Sequence, residues 1–315
     1  MSDRRVAVVD VGSNSTRLFL CDGIDAEGPR GERITTITAL RRGAGSDGSI
    51  AADALGRLDD CLTHYGHTIQ VFDADEVIAV GTSAVRDAPN RDRVAAIVEQ
   101  RLGAELQVLA GAHEAELSYV GARLATLGDG TVIVMDIGGG STELVRGNAA
   151  GPTSAVSLDA GGVRFTETFL HDDPPSPEQI AALRDEVAGL VIPTLAALGG
   201  PAPIIGVAGT MTTLAAVALG GYDAERVHGT ILSTDEVNEI TDHLSSLPLE
   251  ERRRVPGLHP DRAPSIVAGA LIACTVLAAA SAENVAISER DLLDGVRLRL
   301  AADAGPFDKM ASDDV

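Results

Sequence analysis

A chain of 315 residues is long enough for two domains, and a 45% hydrophobic share can fill two cores, although aromatics are only 3% and tryptophan is absent. A net charge of −21 argues against a general nucleic-acid or anionic-membrane surface. Among 25 basic residues only Lys309 is a lysine, so there is no Walker A lysine, no protein-kinase strand lysine and no Schiff-base lysine in a folded core.

In chain order, the start MSDRRVAVVDVGSN reaches an acid after a few apolar residues and does not resemble a signal peptide. Strands are predicted over about 4–11 and 15–22 around a tight turn, then near 33–41, followed by a helix over about 50–72. DEVIAVGTSAVRDAPN (75–90) is a strand running into a Gly-Thr-Ser turn, and Asn90 is the expected cap of the next helix. Residues 109–127 are helical after their glycine. A second block starts near 129, with a strand around 153–158 and a Pro-rich linker at 172–177. That linker feeds a helix capped by Ser176, with Pro177 in the first turn and Gln179 in capping-box position. Residues 202–219 read as strand, Gly-Thr turn and helix, and Ser233 with Glu236 forms a second capping box. The apolar run Ile266–Ala280 is shorter than the roughly 20 residues a bilayer span needs, so it reads as a buried helix. A last helix over about 289–302 precedes a tail expected to be mobile. Cys21, Cys61 and Cys274 are few, isolated and odd in number, which suits a reducing cytoplasm. The alternation of strands and helices indicates an α/β fold.

Two stretches repeat each other. VAVVDVGSNSTRLF (6–19) and VIVMDIGGGSTELV (132–145) align without a gap, sharing Asp10/Asp136, Gly12/Gly138, Ser15/Ser141 and Thr16/Thr142 among others. Packing alone does not call for an acid and glycines where an apolar run stops. Gly138, Gly139 and Gly140 let backbone amides approach a ligand and form an anion nest, with Ser141 and Thr142 adding hydroxyls. Asp136 and Glu143 are hard oxygen ligands for Mg²⁺. The first copy offers Ser13, Asn14, Ser15 and Arg17 instead. Two such turns facing one another across a metal would clamp a phosphate chain. A third turn, GVAGTMTT (206–213), with Gly209 and Thr210, reads equally as strand–helix packing or as a phosphate contact. Neither a Gly-x-Ser-x-Gly elbow nor a His-Glu-x-x-His pair occurs, and His64 and His67 lack further ligands at metal spacing.

The paired turns resemble the phosphate loops of the actin/Hsp70/sugar-kinase superfamily. More closely, the chain resembles the exopolyphosphatase/guanosine pentaphosphate phosphohydrolase family, through GTSAVRDAPN (81–90), GAHEAELSYVGA (111–122), GGVRFTETFL (161–170), VAGTMTTLAAV (207–217), GLHPDRAPSIVAGAL (257–271) and SERDLLDGV (288–296). The resemblance implies a general base at Glu114 and a metal-linked acid at Asp136. It implies phosphate contacts at Ser13, Asn14, Arg17, Arg86, Gly138 to Ser141 and Arg262. Mg²⁺, with Mn²⁺ as the alternative, is expected at Asp136, Glu143 and Asp10. His113 stands where the family often has another acid. The chain ends before a C-terminal HD-type domain could begin, which tilts the expectation toward short polyphosphate.

The implied fold is two actin/ribonuclease-H-like lobes, each on a mixed five-stranded sheet, with the active site in the cleft between them. Lobe I is expected at 1–128, joined by the helix 289–305, lobe II at 129–288, and the tail at 306–315. The implied activity is hydrolysis of the terminal phosphoanhydride of inorganic polyphosphate. Removal of the 5′ γ-phosphate of guanosine pentaphosphate and a weakly catalytic (p)ppGpp sensor are the alternatives. A sugar or acetate kinase is a minor one. A cytoplasmic homodimer without nucleic-acid or membrane partners is expected.

Overall fold

A computed structural model describes residues 4–22, 31–45, 47–123 and 130–301. The chain divides into two units, one of residues 1–117 with 292–315, the other Ser118–Asp291. The expected boundary at 128 and the tail at 306–315 lie outside the described residues. The division falls earlier, inside a helix.

The first unit carries β1 (Arg5–Val11), β2 (Thr16–Asp22) and β3 (Gly31–Thr36), then α1 (Ala52–Phe72), β4 (Glu76–Gly81), α2 (Ser83–Asp87), α3 (Arg91–Leu102) and β5 (Leu106–Val108). Helix α4 (Gly111–Arg123) runs across the division. The sheet order is β3-β2-β1-β4-β5, an antiparallel meander extended by two strands parallel to β1. β3 ends at Thr36 rather than near 41. Residues 38–41 instead brace the turn after β1, where Ala39 takes a left-handed conformation. Asn90 does not cap α3: its side chain bonds both the amide and the carbonyl of Ile50, a partner 40 residues away.

The second unit carries β6 (Val132–Ile137), β7 (Thr142–Asn148), β8 (Gly151–Leu158), α5 (Gly162–Phe169), α6 (Pro177–Ala197), β9 (Ile204–Val207) and α7 (Ala208–Ala218). It continues with α8 (Ala224–Val227), β10 (Ile231–Ser233), α9 (Thr234–Ser246), α10 (Leu249–Arg252), α11 (Ile266–Ala279) and β11 (Asn284–Ile287). Its sheet has six strands, in the order β10-β11-β9-β6-β7-β8, rather than five. The extra strand, β10, is a three-residue edge too short to carry an alternating pattern. α11 is buried nearly all round because α5, α6, α7 and α9 surround it, which explains an apolar run without a polar face. Ser233 and Glu236 form the reciprocal box. Ser176 accepts from the Gln179 amide, but the Gln179 side chain turns to Asp172 instead of closing a box. No described helix is long and apolar enough to cross a membrane.

The C-terminal helix, α12 (Leu292–Ala301), belongs to the first unit. Alternate residues of β1 serve two cores: Ala7, Val9 and Val11 pack with α1 and α3, while Val6 and Val8 pack with Leu292, Leu293 and Val296. Asp10 follows the second set by period. In β6, Ile133, Met135 and Ile137 enter the second unit's core, which leaves Asp136 on the opposite face.

Candidate active site

In each unit the candidate residues gather where parallel strands end, the usual place for a ligand in an α/β sheet. β1 and β4 run in register to Val11 and Gly81, and β6 and β9 to Asp136 and Val207.

The two repeated turns close in the same way. The Gly12 amide donates to the Ser15 carbonyl at 3.1 Å, and the Gly138 amide to the Ser141 carbonyl at 3.0 Å. What surrounds them decides where their other amides point. The carbonyls of Gly138 and Gly139 accept from the amides of Gly162, Val163 and Arg164 at the start of α5, and the Gly140 carbonyl accepts from Arg164 Nε at 2.7 Å. A trans peptide points its N–H opposite to its C=O, so the amides of Gly139, Gly140 and Ser141 aim away from α5. In the first turn the Ser13 and Asn14 carbonyls accept from the amides of Arg41 and Ala39, which turns the Asn14 and Ser15 amides outward by the same reasoning. Each turn therefore presents consecutive N–H donors, the backbone feature that binds anions.

The close approach of α5 needs Gly161. A Cβ there would lie 2.5 Å from backbone atoms of Gly139 and Gly140. In the first unit Tyr65 supports the start of β2, its hydroxyl donating to the Thr16 carbonyl at 2.9 Å. Burial pushes the Tyr65 phenol well above its ordinary value, so it remains a neutral donor.

The flanking acids differ. Asp10 faces Arg17 across the hairpin, and Arg17 Nε and Nη2 reach Asp10 Oδ2 at 2.9 and 2.8 Å. Asp136 faces Glu143 across the corresponding hairpin. Both are buried, at 8% and 1% exposure; Ser118 Oγ donates to Asp136 Oδ2 at 2.6 Å and Ser157 Oγ to Glu143 Oε1 at 2.7 Å. Glu114, in the first turn of α4, is 8% exposed, and its Oε2 accepts from Arg86 Nη1 at 2.9 Å. The same Arg86 nitrogen donates to the Leu109 carbonyl. His113, next to Glu114, is half-buried.

The third turn joins the second. Thr210 Oγ1 donates to the Ile137 carbonyl at 3.0 Å, and a Cβ on Gly209 would overlap the Arg262 guanidinium. Thr142 spends its hydroxyl on the Ala160 carbonyl. The second unit thus gathers Asp136, Gly138 to Ser141, Thr142, Glu143, Gly209, Thr210 and Arg262; the first gathers Ser13, Asn14, Ser15, Asp10 and Arg17 in one hairpin, with Arg86 and Glu114 paired nearby in sequence order of α2 and α4. Two of the expected residues meet side-chain partners. Arg17 pairs with Asp10 through Oδ2, and Arg86 bonds Glu114 directly. Among the described residues no group of three or more His, Cys, Asp or Glu converges. The Asp136–Glu143 pair still suits Mg²⁺, which keeps several waters and is commonly held by one or two carboxylates plus substrate phosphates.

Ser118, Ser157, Arg164 and Tyr65 were not singled out in the sequence. Ser118 stands four residues after Glu114, on the same helical face, and Arg164 lies in GGVRF; those spacings are the signal that points to them.

A model of the Ppx/GppA phosphatase family matches residues 31–304. The chain belongs to that family. A Ppx/GppA phosphatase is a phosphoanhydride hydrolase. The chain is 36% identical to exopolyphosphatase 2 of Mycobacterium tuberculosis, over 96% of this chain and all of the relative. It is 29% identical to a guanosine-5′-triphosphate,3′-diphosphate pyrophosphatase of Vibrio vulnificus, over 78% of this chain and 50% of the relative. An exopolyphosphatase structure from Cytophaga hutchinsonii superposes with a TM-score of 0.89 at 26% identity, covering 96% of this chain and 99% of the other. The Ppx/GppA lobes are actin/ribonuclease-H-like, in accord with two mixed α/β sheets here.

Proposed function

We propose that this Ppx/GppA phosphatase is an exopolyphosphatase that releases orthophosphate from the ends of inorganic polyphosphate. The observation that carries the reading is the pair of repeated turns, each with its carbonyls tied back and its amides turned outward. Consecutive outward amides at a turn suit the oxygens of a phosphate chain. The similarity to a full-length exopolyphosphatase supports the same substrate class.

In this reading Glu114 accepts a proton from water, the water oxygen forms a bond to the terminal phosphorus, and the bridging oxygen leaves with the shortened chain. Arg86 orients the Glu114 carboxylate through the Oε2 bond. The outward amides of Asn14, Ser15, Gly139, Gly140 and Ser141 hold phosphate oxygens, and Arg262 adds a cation beside the Gly209 turn. Asp136 and Glu143 are the residues to hold Mg²⁺, which when bound would neutralise charge on the phosphoryl oxygens. The overall charge of −21 does not oppose this, since surface charges beyond about 8–10 Å are largely screened at cellular salt.

The test measures phosphate release from short and long polyphosphate and from guanosine pentaphosphate, with Mg²⁺ or EDTA, in wild type and Glu114→Gln. Metal-dependent release from polyphosphate that falls about 10²–10⁴-fold in the variant supports the reading. Release from guanosine pentaphosphate alone would move the assignment to the activity named for the Vibrio vulnificus relative. No release with retained guanine-nucleotide binding would make the protein a sensor.

A further inference from the structure

Asp136 and Glu143 are direct register partners, so their side chains leave the sheet on the same face with Cβ atoms roughly 5 Å apart. Like charges so placed repel, and burial strengthens the repulsion. Each carboxylate accepts a serine hydroxyl, at 2.6 Å from Ser118 and 2.7 Å from Ser157. The serines come from different elements, α4 and β8, and Ser157 is the register partner of Glu143 in the β7–β8 ladder.

A hydroxyl inside a helix commonly bonds the carbonyl four residues back, as Thr63 and Thr68 do in α1. Ser118 is fully buried in α4 and reaches out to Asp136. A serine also differs from a basic residue in what it leaves behind. Arg17 neutralises Asp10, whereas a hydroxyl fixes a carboxylate oxygen without cancelling its charge. The second hairpin thereby sets two oriented acids side by side.

We propose that Ser118 and Ser157 are positioning residues that hold Asp136 and Glu143 ready for a divalent cation. The proposal rests on the reading of that pair as the cation site. An ordered pair meets the ion without rearranging, and partners of metal-binding carboxylates are worth roughly 10–100-fold in metal affinity.

The experiment titrates the intact protein with Mn²⁺ alone, followed by electron paramagnetic resonance, for wild type, Ser118→Ala, Ser157→Ala, Ser118→Thr and Asp136→Asn. The Mg²⁺ dependence of phosphate release is measured alongside. Each alanine variant is expected to weaken Mn²⁺ binding about tenfold and to raise the half-saturating Mg²⁺ by a similar factor, with the rate largely recovered at saturating Mg²⁺. Ser118→Thr, which keeps the hydroxyl, restores both. If Ser118→Ala does not accumulate as folded protein, Ser118→Cys keeps the volume while weakening the donor and is expected to give the same shift. Unchanged Mn²⁺ affinity in the serine variants, with loss in Asp136→Asn, overturns the serine role and leaves the cation site standing. Unchanged affinity in Asp136→Asn as well overturns the cation reading and the serine proposal together.

Discussion

The two repeated hairpins share a turn and differ in what stands across from the acid. β1–β2 sets Asp10 against Arg17, an ion pair closed within the hairpin. β6–β7 sets Asp136 against Glu143, two acids each held by a serine. The closing amide bonds, 3.1 and 3.0 Å, are nearly identical. The same backbone device has thus been kept twice while its charge has been inverted. In one copy a guanidinium stands across from the acid, and in the other a second carboxylate does. Buried like charges are unfavourable by themselves, so such a pair is the kind of local sacrifice of stability that marks a functional site.

The same substitution at the two equivalent positions is the widest test of this contrast. Asp136→Asn is expected to lower phosphate release about 10³-fold while leaving the metal-free protein as stable as wild type or more so, because repulsion with Glu143 is relieved. Steady-state kinetics and thermal melting in EDTA give both numbers; a large loss of metal-free stability would break the comparison. Next come the glycines that set each turn. Gly161→Ala pushes on the Gly139–Gly140 backbone and Gly12→Ala on the Ser15 carbonyl, at 2.5 and 2.8 Å. Each is expected to raise the polyphosphate KM about tenfold or more through misplaced amides. Equal KM in wild type and Gly161→Ala would mean that the second turn does not carry substrate.

Asp10→Asn should act on stability first. It leaves Arg17 without its charged partner in a largely buried place, and a loss of about 2 kcal/mol in urea unfolding is expected. A stability equal to wild type would show that the pair is dispensable. The smallest effect lies at the start of α9. Ser233→Ala removes the reciprocal cap of α9 and should lower stability by about 1 kcal/mol. The pH dependence of that cap follows its acid. The Ser233 amide and hydroxyl hold the Glu236 carboxyl below its ordinary value of 4.5, and the Arg101 guanidinium holds Asp59 below 3.8. Both carboxylates are more stable ionised in the folded chain, so their contribution is present above those values and is lost as pH falls through the lowered ones. Urea midpoints that stay flat from pH 5 to about pH 3 would contradict this.

Much of the site was readable in the order of residues. Asp10, Asp136, the glycines and the small hydroxyl residues repeat at fixed spacing, and a hairpin is a local object whose register follows from its turn. The Ser233–Glu236 box and the buried α11 were readable for the same reason, since both depend on neighbours in sequence. Asn90 misled because its side chain found Ile50 rather than its own helix, and Gln179 because Asp172 competed for it. β5 and β10, three residues each, carried too few positions for a period to appear.

By itself the sequence determined that the chain builds two related strand–turn–strand units with acids at their turns, because hydrophobic period, glycine placement and spacing act over a few residues at a time. Only the tertiary structure decided what each acid and each turn would meet. Arg164 and the start of α5 turn the second loop's amides outward, Ser118 and Ser157 hold its acids, and Arg86 holds Glu114. Those partners come from separate elements, and a side chain's partner across that distance is chosen by how the helices and strands pack, which no local pattern records.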